Sequence, residues 1–373
     1  MKVLIVTGIF PPDHGGPASY VPSIATSLVE YGQDVIGVIT LSDCQDANDN
    51  YQFPVVRILR KLFWPRRAIQ TITTIVKFAR NADVVYLNGL VLEGVVATKL
   101  FLRKPVVVKV VGDLIWEKAR NQDVTKLELD DFQVAKLPLY WIFLRKLQCF
   151  YLRQADAVIT PSKYLAKIVA GWKVNPERIH VVYNAVELPN DISIKPNFYD
   201  YDLITVARLV PWKGLVDLIK VAAQLDCSLL VVGDGPMRSQ LEKLALIEKA
   251  NVKFVGNVPH EEVAIKMRSA KLFVLNSTYE GLPHIVLEAK ASRTPVLAST
   301  AGGTSETINH AIDGWLVPIN DKEALATAIQ HILRDDQLSA NLSEAGFNQI
   351  GEKFSSSAQV TATISILSRV SEC

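Results

Sequence analysis

The sequence predicts an α/β protein of two doubly wound domains, and three observations carry that expectation. Short apolar runs of strand length alternate with helical segments along nearly the whole chain. One polar stretch, "ELPNDISIKPNFYDY" from Glu187 to Tyr201, interrupts the alternation near the middle and reads as a linker. The 373 residues allow two or three domains at roughly 150 residues each, and either half is long enough to bury its own core. Strands alternating with helices imply parallel sheets covered on both faces. The expected boundaries are 1–190 and 200–354, with 355–373 a last helix crossing back to the first domain. Two such domains face each other across a cleft bordered by the carboxyl ends of their strands, where doubly wound sheets bind ligands.

Each element follows from its own pattern. "KVLIVTG" is too short for a signal peptide and leads into the turn residues "PPDHGGP", so it reads as a buried first strand. "PASYVPSIATSLVEYG" is a helix closed by Gly32, and "DVIGVIT" the next strand. "IQTITTIVKFARN", "VVATKLFLR" and a region from Lys136 to Gln154 read as helices; "ADVVYLN", "PVVVKVVG", "ADAVITPS" and "IHVVYNAV" read as strands. Beyond the linker, "DLITVARL", "SLLVVGDG", "VKFVGNV", "KLFVLNS" and "TPVLAST" are strands with helices between them, and helices follow from Lys322.

Composition narrows the classes. Charged residues are 21% with a net charge of +2, which gives no electrostatic footprint for nucleic acid. Cys44, Cys149, Cys227 and Cys373 lie far apart, without metal or redox spacing, as in a cytosolic protein with reduced thiols. No apolar run is long enough to span a bilayer.

The chemistry concentrates in "NSTYEGLPHIVLEAKASRTPVLAST", a strand end, a tight turn, a helix and a strand. Glu280 sits in the turn and Glu288 about one turn into the helix. Between them lies a helix start, whose free N–H groups and positive dipole end attract a phosphate. A carboxylate beside a phosphate is repelled by it, yet accepts hydrogen bonds from a sugar diol. The arrangement fits a nucleotide, with its ribose on Glu288, and Glu280 toward whatever hangs beyond the phosphates. Two solvated glutamates on a surface loop are the plainer reading of the pair alone.

Other features gather on the same side of the second domain. Arg208 ends a strand and Lys213 precedes a helix; an Arg fork and a mobile Lys charge suit a diphosphate, at roughly 1.5–3 kcal/mol per charge-assisted bond. Gly233 in "VVGDGP" is a turn where backbone approaches a ligand closely. Asn257 and Val258 in "FVGNVPHEE" offer backbone groups to a base edge. In the first domain, Gly15 and Gly16 follow the first strand without the G-x-G-x-x-G pattern, which leaves the dinucleotide fingerprint absent. Asp113 follows a strand end, as a cleft group or as a helix N-cap.

Taken in order, "PPDHGGPASYV", "VVGD", "TPSKYL", "YNAVEL", "VARLVPWKG", "VVGDGP", "VKFVGNVP", "YEGLPHIVLEAKASRTPVLAST", "AGGTSETI" and "DGWLV" resemble the retaining family-4 glycosyltransferases of GT-B fold, over nearly the whole chain. The resemblance implies that Arg208 and Lys213 hold the donor's diphosphate. The backbone around Gly281, Leu282, Pro283, His284, Ile285 and Val286 takes the distal phosphate. Glu288 holds the ribose, Glu280 contacts the transferred sugar, and Gly16 closes over the phosphates. Glu280, Asp113, Arg208 and Lys213 form the expected catalytic set, with no metal and no further cofactor. "DYD" at Asp200–Asp202 precedes a strand instead of ending one and is set aside as linker. Two positions depart from the pattern: Val111 stands where many members carry a His, and Trp212 where an acidic or small polar residue is common.

The expected partners are a nucleotide-diphosphate sugar, a UDP-sugar foremost, and a glycan or lipid-linked acceptor. A nucleotide-sugar 2-epimerase of the same architecture, or a catalytically silent sugar-binding protein, are the rival readings. "RILRKLFWPRR" (Arg57–Arg67) and "LYWIFLRKLQCFYLR" (Leu139–Arg153) interleave basic and aromatic residues in a way that suits an anionic membrane face. The second also reads as a helix packed inside its domain. These features suggest a cytoplasmic protein at the inner face of the membrane.

Overall fold

A computed structural model describes residues 1–13, 15–43, 50–186 and 199–372. The chain divides into two compact units: Met1–Pro161 with Leu165–Val182 and the segment from Gln359 onward, and Ser162–Tyr164 with Tyr183–Ala358. The expected linker lies outside the described residues as far as Phe198, and Tyr201 already belongs to a strand.

The first unit is built on a seven-stranded sheet. Its strands are β1 (Lys2–Thr7), β2 (Asp34–Ser42), β3 (Val55–Leu59), β4 (Val84–Asn88), β5 (Val106–Lys109), β6 (Ala157–Thr160) and β7 (Ile179–Val181). They run parallel in the order β3-β2-β1-β4-β5-β6-β7. Burial on both faces explains why β1, β4, β5 and β6 read as unbroken apolar runs. Val3, Ile5, Tyr86, Val107 and Ile159 pack with Val21, Ile24 and Leu28 of the helix Gly16–Glu30. The last helix, Ser356–Ser371, adds Val360, Ile366, Leu367 and Val370 to this core. Each such side chain stabilises the unit by about 1.5–3 kcal/mol when fully buried.

The second unit has six parallel strands: β8 (Tyr201–Val206), β9 (Leu229–Val232), β10 (Val252–Gly256), β11 (Ala270–Leu275), β12 (Val296–Ser299) and β13 (Trp315–Val317). Their order is β10-β9-β8-β11-β12-β13. Chain order therefore reverses direction between β8 and β11 here, and between β1 and β4 in the first unit. At such a switch point adjacent strand ends diverge and leave a crevice for a ligand.

Several expectations need correction. Strand β3 (Val55–Leu59) takes Arg57, Ile58 and Leu59 out of the basic stretch, and the helix Trp64–Ala79 begins five residues before the sequence reading placed it. Arg60 is tied to Asp13 and to Asp43 (2.8 Å), and Arg67 donates to the Arg60 carbonyl (2.9 Å), so these two charges serve the fold. Val96–Leu102 winds as π-helix. The region from Lys136 resolves into a helix Leu139–Arg153 preceded by a short helix Leu129–Val134. Asp202 lies within β8, accepts from the Ser228 amide (3.0 Å) and hydroxyl (2.9 Å) and pairs with Lys271 (2.8 Å). That explains "DYD" as a structural tie.

Candidate functional site

The β8/β11 switch point brings together residues more than sixty positions apart. After β8 the chain passes Arg208 and enters a single 3-10 turn, Pro211–Lys213. Gly214 ends this turn with φ +62°. An added Cβ at Gly214 would meet the Asn276 carbonyl oxygen at 1.8 Å, so this turn must be glycine-ended to lie against the end of β11. The Thr278 amide donates to the Trp212 carbonyl (2.8 Å), and Asn276 Nδ2 donates to the Gly214 carbonyl (3.1 Å). The two loops are thereby locked, which sets Lys213 beside Glu280.

Lys213 Nζ lies 2.5 Å from Glu280 Oε1, with side-chain exposures of 17% and 10%. The Ser277 hydroxyl donates to the same oxygen (2.6 Å). Glu280 is therefore a buried, twice-engaged carboxylate and not a solvated loop residue. Arg208 is exposed and forms no ion pair with a described residue. Its charge stands at the carboxyl edge of the sheet, where an anion can take it up.

The helix His284–Ala291 begins next to Glu280. No side chain caps it, and no carboxylate lies in its first turn. An eight-residue helix with an open start presents amides and the positive dipole end to this edge. Gly302 and Gly303 close over the turn: added Cβ atoms would meet the Glu280 and Gly281 carbonyls at 2.2 and 2.1 Å. The Gly303 amide donates to the Glu280 carbonyl (2.9 Å), and Ser162 Oγ donates to that of Gly281 (2.6 Å). The turn that aims Glu280 is thus fixed through its backbone.

Glu288 is held as well. His284 Nδ1 is 2.9 Å from Glu288 Oε1, and His284 Nε2 is 2.7 Å from the Ala185 carbonyl. Residues in contact through one helical turn, i and i+4, make this pairing natural. The structure gives Lys213 and Ser277 to Glu280 and His284 to Glu288. The sequence signals were the cation five residues past Arg208 and the i, i+4 spacing in "HIVLE".

Gly233 and the Asn257–Val258 segment occupy neighbouring strand ends. The Gly233 amide donates to the Gly256 carbonyl (2.8 Å), and an added Cβ at Gly233 would meet the Ala207 carbonyl at 2.1 Å. Asn257 is exposed beyond β10. Gly233 thus lies against the loop that carries Arg208, and the Asn257 segment follows from the next strand.

The remaining expected residues belong to the first unit. Gly15 (φ +135°) is the N-cap position of the helix Gly16–Glu30, and Gly16 opens it. Val111 is 48% exposed. Asp113 is fully buried and caps the helix Leu114–Asn121, accepting from the amides of Ile115 (3.0 Å) and Trp116 (3.2 Å). Gln133 Nε2 (2.9 Å) and Gln148 Nε2 (3.3 Å) donate to it as well. Of the two roles open to Asp113 in the sequence, the cap is the one on display.

A second polar core supports the site helix from behind. Lys290 is 1% exposed, with its ammonium on Asp313 (2.7 Å), the Thr307 carbonyl (2.6 Å) and Gln349 Oε1 (2.8 Å). Burial pulls its pKa from 10.5 to about 8, against the opposing pull of Asp313. Sequence reasoning missed this pair, because a lysine inside "LEAKA" looks like any surface helix position.

Residues 14–189 match the model described as Glycosyltransferase Family 4, and residues 192–349 match Glycosyl transferases group 1. A Corynebacterium glutamicum protein, a GDP-mannose-dependent monoacylated alpha-(1-6)-phosphatidylinositol monomannoside mannosyltransferase, is 26% identical over 92% of both chains. The Rhizobium meliloti lipopolysaccharide core biosynthesis glycosyltransferase LpsE is 28% identical over 58% of this chain; the match spans 65% of LpsE. Among solved structures, sucrose-phosphate synthase from Thermosynechococcus elongatus superposes with a TM-score of 0.79 at 21% identity, covering 99% of this chain and 98% of that one. Anabaena HepE in complex with UDP gives 0.75 at 21% identity, with full coverage of both chains. The parallel sheets and these neighbours make the fold GT-B.

Proposed function

As a member of the family-4 glycosyltransferases of GT-B fold, the chain is, we propose, a retaining hexosyltransferase that moves a sugar from a nucleotide-diphosphate sugar, a UDP-sugar foremost, to a glycan or lipid-linked acceptor. The observation that carries this reading is the Lys213–Glu280 contact at the β8/β11 switch point, beside an uncapped helix start. Arg208, Lys213 and the amides from Gly281 to Val286 bind the diphosphate and stabilise the charge that develops as it leaves. Glu280 contacts the transferred sugar. Glu288, one oxygen held by His284, accepts from the ribose hydroxyls. Gly233, Asn257 and Val258 border the nucleoside. In a same-face reaction a departing phosphate oxygen takes the acceptor's proton, so no strong protein base is needed. The acceptor lies at an anionic membrane surface on the cytoplasmic side, in polysaccharide or glycoconjugate synthesis.

Support for a UDP donor comes from HepE, solved with UDP and with UDP-glucose; the corynebacterial relative is GDP-mannose-dependent. Calorimetric titration with UDP-, GDP- and ADP-sugars decides between them, and absence of binding to all three overturns the donor reading. Glu288→Gln is expected to weaken donor binding by roughly 1–3 kcal/mol, since an amide is a poorer acceptor for the ribose. Unchanged affinity would remove Glu288 from the site. Turnover is expected to survive EDTA and to gain little from magnesium or manganese, because Arg208, Lys213 and the helix start supply the positive charge. Activity lost in chelator and restored by metal would contradict this.

A further inference from the structure

The helix Leu139–Arg153 buries Trp141, Gln148 and Leu152. Its outward side is unusual. Leu139, Phe143, Lys146, Phe150 and Arg153 recur at steps of four and three, and all are exposed, Leu139 to 85%, Phe143 to 62% and Phe150 to 58%. The solvent face of a surface helix is ordinarily polar. A row of large apolar side chains there marks a contact surface.

Beside the basic end of this row lies a groove of about 800 Å³, within the size range of ligand sites. Ile168 and Trp172 form its buried base, and Val134 (85% exposed) and Phe150 its apolar wall. Arg145, Lys146, Arg153, Lys167 and Lys173 line it against a single carboxylate, Asp130. Arg145 donates to the carbonyls of Phe132 and Gln133 (both 3.1 Å) and Arg153 to that of Cys149 (2.9 Å). Lys146, Lys167 and Lys173 are exposed and form no ion pair with a described residue. Five cations gathered with one carboxylate leave a net positive charge, and an anion in the groove relieves their mutual repulsion.

We propose that this groove seats the phosphate headgroup of an anionic phospholipid, while Leu139, Phe143 and Phe150 enter the bilayer interface. The proposal rests on the membrane reading above and is independent of the donor chemistry. A free anion would satisfy the cations and leave the apolar row in water. A lipid at a bilayer surface covers both, the amphipathic combination that holds interfacial helices.

The test is co-sedimentation of the full chain with phosphatidylcholine vesicles, with and without phosphatidylglycerol. Binding is expected only with the anionic lipid, falling as salt shrinks the Debye length from about 10 Å at 0.1 M toward 3 Å at 1 M. Lys146→Gln with Lys167→Gln is expected to weaken it about 25-fold, at roughly five-fold per surface charge. Phe143→Ser should weaken it with little salt dependence. Cys149 lines the groove, so its alkylation, read by peptide mapping, is expected to slow with anionic vesicles. Circular dichroism confirms that each variant is folded. The exposed Trp64 and Arg66 of the other basic stretch provide the contrast. If Trp64→Ala with Arg66→Gln abolishes binding and the lysine pair does not, the membrane reading stands and the groove is overturned. Wild-type protein that stays in the supernatant with both vesicle types overturns both. Equal protection of Cys149 by inorganic phosphate alone overturns the bilayer assignment.

Discussion

Lys213→Ala is expected to lower turnover by about 10²–10³-fold, the loss typical when one preorganised electrostatic group is removed from a developing negative charge. The ammonium is the one protein cation in contact with Glu280 among the described residues, at 2.5 Å. Its removal takes a positive charge from the proposed diphosphate and leaves a carboxylate of 10% exposure with, among the described residues, only the Ser277 hydroxyl bonded to its side chain. Donor affinity should fall too, because that carboxylate then repels the phosphates unopposed. Lys213→Arg keeps the charge in a planar fork and is expected to recover part of the rate. Initial rates at saturating donor, beside a thermal melt, separate the catalytic effect from loss of fold. Turnover within ten-fold of wild type in a folded Lys213→Ala protein would exclude Lys213 from catalysis.

The other large effect is on stability. Asp313→Ala is expected to destabilise the second unit by about 3–5 kcal/mol, the cost of leaving one half of a buried ion pair behind. Asp313 is 3% exposed and also accepts from the Asn309 amide (2.8 Å) and side chain (2.6 Å). Its loss strands both Lys290 and a turn. Lys290→Met, which keeps volume and removes the cation, leaves Asp313 its two bonds from Asn309 and should cost less than Asp313→Ala. Urea unfolding followed by circular dichroism measures both; equal midpoints for wild type and Asp313→Ala would refute the structural role. The pH dependence has a definite sign. The folded pKa of Lys290, about 8, lies below the unfolded value of 10.5. The folded chain releases this proton first, so this group makes stability rise as pH climbs from about 8 to 10.5.

Much of the fold was legible because parallel strands covered on both faces leave an unmistakable apolar signature, as in β1, β4 and β11. Strand β3 was not, because its Arg57 and partial exposure hide that signature. The short helices Leu114–Asn121 and Leu129–Val134 are mostly polar or exposed, so periodicity has little to act on. In the site, the position of Glu280 at a strand end and of Glu288 in a helix followed from turn residues. The Lys213–Glu280 and His284–Glu288 contacts did not, since the first joins loops 67 residues apart and the second depends on side-chain direction. Asp113 shows the limit most clearly: one residue satisfied both a capping rule and a catalytic expectation, and only the surrounding amides and glutamines distinguish them.

The placement of the final helix has a consequence for how the protein is made. Val360, Ile366, Leu367 and Val370 complete a core whose other members include Val3, Ile5 and Val21, which leave the ribosome more than three hundred residues earlier. The first unit's sheet must therefore wait, with part of its apolar face uncovered, until the helix Ser356–Ser371 has been synthesised. The second unit takes its strands and core from one continuous stretch and has no such delay. Vectorial synthesis ordinarily lets the amino-terminal domain finish first; here the order of completion is reversed, and the early-made half is the one exposed longest to chaperones and to aggregation.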